Sequence, residues 1–336
     1  MAGKGNCRGG PNGHKLKREV RAGSARRPDA GHTGPHHRGM SQYAPPMPEP
    51  SKVVLITGCS SGIGHATALR LARGGWSVYA TARRPEMIAD LAEAGCETLA
   101  LDVTDEQSMR AAVDHVEGAA GAVGVLINNA GYSQSGAIET VPLKAARAQF
   151  ETNVFGLVRL TQMVLPRMRA QHWGRIVNVG SMGGRLSFPG AGHYHATKHA
   201  LEAISDAMRF ELRGFGIDVV LLEPGLITTE FGETATASIA ETSTAANGAQ
   251  PNAGDPYGEF NTTVGAVTKG AYEGPMRLLG AGPDRVAKTI ERVLKRRNPP
   301  ARITITPSAK VMIGLRRVLP DRAWEAMMRA QFPQPH

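Results

Sequence analysis

The chain is decided by Val53-Val54-Leu55-Ile56-Thr57-Gly58-Cys59-Ser60-Ser61-Gly62-Ile63-Gly64 and the nine residues after it, His65-Ala66-Thr67-Ala68-Leu69-Arg70-Leu71-Ala72-Arg73. A short apolar run such as Val53–Ile56 is the kind buried on both faces of a parallel sheet. His65–Arg73 carries helical apolar spacing, and Gly74-Gly75 ends it. Strand, glycine turn, helix is the context in which a glycine motif takes a dinucleotide. The glycines let the backbone approach a pyrophosphate closely, and the helix N-terminus offers free N–H groups and positive potential. The spacing here is Gly58-x-x-x-Gly62-x-Gly64 rather than the commoner Gly-x-Gly-x-x-Gly.

The next strand, Val78-Tyr79-Ala80-Thr81, ends where a protein selecting NAD places a carboxylate for the ribose 2′-hydroxyl. Ala82 stands there instead, followed by Arg83 and Arg84. A guanidinium in place of an acid suits a 2′-phosphate, which Arg grips with two parallel hydrogen bonds, so NADP(H) is favoured over NAD(H). Helix and strand then alternate. Pro85–Ala94 reads as helix and Thr98–Leu101 as a strand ending in Asp102-Val103; Asp105–Gly118 is helix, and Val123–Ile127 a strand ending in Asn128-Asn129-Ala130-Gly131. Helical spacing covers 143–171, 192–214 and 283–297; strands are expected at 175–179, 217–222 and 302–306. This rhythm predicts an α/β domain with one parallel sheet, helices on both faces and right-handed crossovers. Residues 228–279 break the pattern. They are rich in Thr, Ala, Gly and Asn with Pro251, Pro256 and Pro275, and read as an irregular lid or a disordered insert. Residues 308–332 form a basic amphipathic helical extension broken at Pro320, expected to pack on the core or on a partner subunit.

Tyr194-His195-Ala196-Thr197-Lys198 places a phenol and an ammonium four residues apart, on one face if the segment is helical. An ammonium held beside a phenol favours the phenolate, lowering a pKa that otherwise sits near ~10 and making an acid/base usable near neutral pH. Ser181, thirteen residues earlier and just past the apolar run Ile176–Val179, is placed to hold a carbonyl oxygen against that phenol. His193, His195 and His199 crowd the same helix and read as polar packing or mouth-lining residues.

With these pieces in order the chain resembles the short-chain dehydrogenase/reductase family over roughly residues 52–230. The resemblance rests on Thr57-Gly58-x-x-x-Gly62-Ile63-Gly64, Asp102-Val103, Asn128-Asn129-Ala130-Gly131, Asn153, Ser181, Tyr194-x-x-x-Lys198 and Pro224-Gly225 followed by Thr229. It implies a single Rossmann-like, doubly wound domain over residues 51–307, with strand order 3-2-1-4-5-6-7. It also implies reversible hydride transfer between a nicotinamide and a carbonyl/alcohol pair. Tyr194 is then the acid/base, Lys198 the residue that lowers its pKa and holds the nicotinamide ribose, and Ser181 the group that orients the substrate oxygen. Asn153 holds a relay water. Gly58, Ser60, Ser61, Gly62, Ile63 and Gly64 are expected at the cofactor phosphates, Arg83 at the 2′-phosphate, and Asp102 and Val103 at the adenine. Asn129, Ala130 and Gly131 are expected at the ribose, and Pro224, Gly225, Ile227 and Thr229 beside the nicotinamide. Asn128 and Asn129 can equally serve to brace the sheet centre. The glycine loop and the second strand look like the branch containing 17β-hydroxysteroid and retinol dehydrogenases, which implies a bulky, apolar, steroid- or retinoid-like substrate. Ser61 stands where many NADP-specific members carry Arg or Lys, so Arg83 would carry most of the selectivity. Family members commonly form homo-oligomers through the long helices at 143–171 and 192–214. The alternative is a non-catalytic NADP(H)-binding sensor or scaffold, against which the full Asn153–Ser181–Tyr194–Lys198 set argues.

Bulk properties agree with this reading. The 336 residues are 41% apolar with 40 glycines, mean hydropathy is −0.23, and no apolar run approaches a membrane span. Cys7, Cys59 and Cys96 are too few and too scattered for a disulfide framework or a zinc site, which reads as a reduced, cytoplasmic protein with no bound metal. Net charge is +10, but residues 1–50 hold nine Lys or Arg against three carboxylates, so the remainder is only mildly basic. That Gly-, Pro-, His- and Arg-rich arm buries too little apolar surface to offset its ordering entropy and is expected to be disordered. Its charge could touch nucleic acid, yet it offers no aromatic or helical reading element, and no nucleic-acid partner is expected. A start at Met40 or Met47 would remove most of it.

Overall fold

The structure is a computed structural model that describes residues 49–247 and 255–335. All but the last two residues of the expected basic arm lie outside them. In chain order the elements are β1 (Val54–Ile56), α1 (Gly62–Arg73), β2 (Val78–Ala82), α2 (Ala89–Glu93), β3 (Glu97–Ala100), α3 (Glu106–Ala120) and β4 (Val125–Asn128). There follow α4 (Leu143–Phe150), α5 (Gly156–Ala170), β5 (Gly174–Val179), α6 (Gly192–Leu212) and β6 (Ile217–Glu223). The chain ends with α7 (Phe231–Asn247), α8 (Gly258–Glu273), α9 (Pro283–Lys295), β7 (Arg302–Thr304), α10 (Pro307–Val318) and α11 (Asp321–Arg329).

The seven strands form one sheet in the order β3-β2-β1-β4-β5-β6-β7, and every pairing is parallel. Side-chain alternation along β1 divides the core into two layers. Val54 and Ile56 face Ala68 and Leu71 of α1 together with Val286, Ile290 and Val293 of α9. Leu55 faces the opposite way, toward Met109 and Val113 of α3 and Leu160, Val164 and Met168 of α5. Leu55, Ile56, Leu71, Leu160 and Ile176 are fully buried, each contributing about 1.5–3 kcal/mol through removal from water. β1 sits between β2 and β4, so the winding direction reverses there. The crevice at the strand C-terminal ends of such a switch point is where open α/β sheets bind ligands.

Two features lie outside simple periodicity. Between α4 and α5 the helix widens into a single π turn, Glu151–Phe155, which holds Asn153. At the start of β5 the buried Arg175 donates to the carbonyls of Val293 (2.5 Å), Leu294 (2.7 Å), Arg296 and Arg297, closing the C-terminal end of α9 onto the sheet.

The described residues of 228–279 are regular, which corrects the expectation of an irregular segment. They hold α7, α8 and a 3₁₀ turn at Pro275–Leu279, while residues 248–254 of the expected lid lie outside the described residues. The two helices pack on each other, with Ile239, Phe260 and Val264 joining Leu186, Trp324, Met328 and Phe332 in a separate apolar cluster. Tertiary packing stabilises these helices. Their Ala-, Thr- and Gly-rich sequences are nearly featureless in apolar period, which is why periodicity does not reveal them.

Candidate active site

The loop after β1 sets the floor of the site. Gly62 takes φ +59°, a left-handed conformation open to glycine, and meets Thr229 closely. At Gly64 an added Cβ would lie 2.2 Å from the Gly58 carbonyl oxygen and 2.5 Å from Asn129 Nδ2, so the position admits hydrogen alone. α1 starts at Gly62, after Ser61 at the N-cap, with no side chain capping its N–H groups and no acid in its first turn. Its positive end is thus left for an anion, and these are the features a pyrophosphate requires. Cys59 takes no part in chemistry. Burial pushes its thiol up to about 12, and it packs in the core.

Asn129 locks this loop to β4. Its amide donates to the carbonyls of Thr57 and Gly58, both at 2.9 Å, while Thr57 Oγ1 accepts from the backbone N–H groups of Asn129 and Ala130. Asn128, one residue earlier, donates to Thr161 Oγ1 and Asn178 Oδ1, and Asn178 donates on to Ser205. Both asparagines therefore brace the sheet centre. Asp102 accepts from the backbone N–H and hydroxyl of Thr104, which fixes its carboxylate at the end of β3. Arg83 is exposed at the end of β2, with no carboxylate at salt-bridge distance among the described residues.

Ser181, just past β5, accepts from Gly183 N at 3.0 Å, and its hydroxyl acts on the Tyr194 phenol at the start of α6, with which it lines the same cavity. Lys198 lies one turn on, its ammonium 5.8 Å from the Tyr194 ring centroid and donating to Val179 O at 2.9 Å. Burial lowers this ammonium to about 8, which keeps it charged at neutral pH. The expected lowering of the phenol is not what the structure holds. Burial raises the Tyr194 pKa above its ordinary value; the Ser181 hydroxyl opposes this, and nearby Tyr272 adds to it. Phe231 of α7 packs on the Tyr194 ring at 5.4 Å between centroids, part of the desolvating wall that spacing alone does not reveal.

Asn153 is buried, and both hydrogens of its amide are used, on Tyr132 O (2.9 Å) and Thr197 Oγ1 (3.1 Å), while Oδ1 accepts from Tyr132 N. This side chain pins residues 131–132 to α6, and its amide has no donor left for the expected relay water. His195 is buried with Nδ1 against Gly183 O at 3.1 Å, and burial lowers its pKa to about 4. The folded state therefore resists the proton that the unfolded state takes near pH 6.5. Stability is full above pH 6.5 and is lost as pH falls toward 4. Between pH 6.5 and 5 the loss from this residue is about 1.5 kcal/mol. In urea unfolding across that window, His195→Asn is expected to flatten the slope; an unchanged slope would assign the loss elsewhere.

One cavity of about 1110 Å³ collects these groups. Every residue expected in catalysis or cofactor binding lines it except Gly64 and Asn153, which act from behind its wall. Sequence reading missed Phe188, Phe231, Val264, Tyr272, Met312 and Phe332, which line the same cavity. Phe188 comes from the segment before α6 and the others from α7, α8 and the C-terminal elements, where no motif marks them.

The model of the short chain dehydrogenase family matches residues 52–240, more than half the chain. A 3-ketodihydrosphingosine reductase from Bacteroides thetaiotaomicron is 34% identical over 281 residues, covering 83% of this chain and 97% of the relative. An NADPH-dependent 3-dehydrocapnine reductase from Ornithobacterium rhinotracheale is 32% identical, covering 81% and 94%. Among solved structures, a short-chain dehydrogenase from Streptomyces avermitilis superposes with a TM-score of 0.63 at 35% identity, covering 83% of this chain and 98% of that one. The chain belongs to the short-chain dehydrogenase/reductase family. It is an oxidoreductase of the alcohol/carbonyl type with an NAD(P)-binding Rossmann-like fold.

Proposed function

We propose that this enzyme uses NADP(H) to interconvert a ketone or aldehyde and its alcohol on a bulky, apolar substrate. The observation that carries the reading is the content of one cavity. Arg83 and the glycine loop share it with Ser181, Tyr194 and Lys198 and with an apolar wall of Phe188, Val264, Val267, Met312 and Phe332. The bound nicotinamide supplies the hydride. Ser181 and Tyr194 converge so that a carbonyl oxygen can accept from both hydroxyls, and the Tyr194 phenol delivers the proton. The Lys198 ammonium, steadied by Val179 O, stabilises the phenolate left behind. Asn153 acts by holding the 131–132 segment. The relatives' names, two keto- or dehydro-substrate reductases of which one is NADPH-dependent, support a large carbonyl compound reduced with NADPH. A steroid- or retinoid-like ketone remains within the same proposal, as do a cytoplasmic location and a homo-oligomeric state.

The cofactor assignment turns on Arg83. Loss of a charge-assisted grip on the 2′-phosphate costs about one to two orders of magnitude in affinity. Arg83→Asp is therefore expected to lower the NADPH/NADH ratio of kcat/KM by that much, measured with one ketone under both cofactors. A ratio that does not move assigns selectivity to another group.

A further inference from the structure

Outside the active site, the molecule carries a second concavity between α9, β7 and the start of α10, lined by Arg285, Lys288, Arg292, Arg296 and Lys310, with Asp284 as its lone lining carboxylate. Arg285, Lys288 and Arg292 recur at helical spacing along one exposed face of α9, opposite the buried Val286, Ile290 and Val293, and Arg296 follows just past the helix end. Among the described residues none of the five is paired with a carboxylate, whereas Arg70 and Arg302, which also line the groove, are held by Glu291 and by Glu202 and Asp206. The stripe continues onto α10. Its exposed face reads Lys310, Val311, Gly314, Arg317, Val318, without one acid; Val311 is 55% and Val318 75% exposed. Met312, two residues after Lys310, lines the active-site cavity, as does Met276 in the 3₁₀ turn that contacts α10 and carries Leu278, 88% exposed.

We propose that this face docks on the surface of an anionic lipid bilayer. Clustered cations with protruding aliphatic side chains are what an acidic headgroup layer over a hydrocarbon edge selects. Among the described residues no helix is long and apolar enough to cross a membrane, so the attachment is peripheral. A second copy fits poorly, because in a two-fold pairing the cationic stripe would meet its own image. A polynucleotide gives the exposed valines and leucine no role, and the face has no aromatic platform for bases. The proposal rests on the reading of an apolar substrate only for its purpose, which is delivery of a membrane-dissolved substrate to a cavity lined by the same helix.

The test is sedimentation of the full chain with vesicles, which needs no turnover and so stands apart from the cofactor and substrate assays. The chain is expected to pellet with equimolar phosphatidylglycerol and phosphatidylcholine, to stay in solution with phosphatidylcholine alone, and to be released at about 0.5 M salt. The triple variant R285E/K288E/R292E, with residues 1–50 intact, should lose at least about tenfold in vesicle affinity. The double variant V311D/V318D, which leaves the α9 stripe untouched, should weaken binding as well. Wild-type binding to neutral vesicles as strong as to acidic ones overturns the proposal, as does undiminished binding by both variants. Retention on duplex DNA without vesicle binding assigns the face to nucleic acid, and a dimer lost in the triple variant assigns it to a second copy; either result overturns it too.

Discussion

Tyr194→Phe is expected to cut turnover by about three orders of magnitude or more while leaving NADPH binding within about twofold, since general acid transfer alone contributes about 10²–10⁴-fold. Burial holds the phenol neutral, so in the proposed mechanism removing its oxygen removes both the proton and one of the two donors to the substrate oxygen. The ring remains to pack on Phe231, and Lys198 keeps its bond to Val179 O, so the site keeps its shape. Fluorescence titration separates binding from chemistry. Substantial turnover in the variant would assign the proton to another group.

The second large effect is on stability. Arg175 reaches from β5 to four carbonyls at and beyond the end of α9, with Asp218 Oδ2 3.6 Å from its Nε. The guanidinium is nearly all buried, and burial lowers its pKa although Asp218 opposes this. Arg175→Met fills much of the space but leaves those carbonyls without donors. Charge-assisted bonds contribute about 1.5–3 kcal/mol each, and an acceptor stranded in the interior costs about 1–3 kcal/mol. The variant is expected to lose about 3–5 kcal/mol, seen as a lower urea midpoint at an unchanged slope. A loss under ~1 kcal/mol would mean that water reaches those carbonyls freely.

The difference between these two residues shows what sequence can disclose. β1, the glycine loop and α1 are legible because strand, turn and helix lie within about twenty residues, each marked by its own local chemistry. Tyr194 and Lys198 are legible because a helix converts a spacing of four into proximity. The role of Arg175 is not legible, since its partners lie 118 to 122 residues away and are backbone carbonyls that carry no side-chain signal. The direction of the Tyr194 shift fails for a related reason. Spacing shows the ammonium but not the burial supplied by distant elements such as Phe231 and Tyr272. Asn153 is recognisable as a site residue, but its service to the Tyr132 backbone and Thr197 depends on a π turn that no apolar period announces.

The most direct test of the central claim is cofactor titration of the purified protein with NADPH and NADH, followed by oxidation of the preferred cofactor against a panel of bulky ketones. The account predicts tighter NADPH binding and oxidation of NADPH on at least one large apolar ketone. Equal or tighter NADH binding would contradict the role of Arg83, and tight NADPH binding with no oxidation across the panel would contradict the proposed reductase and favour a sensor.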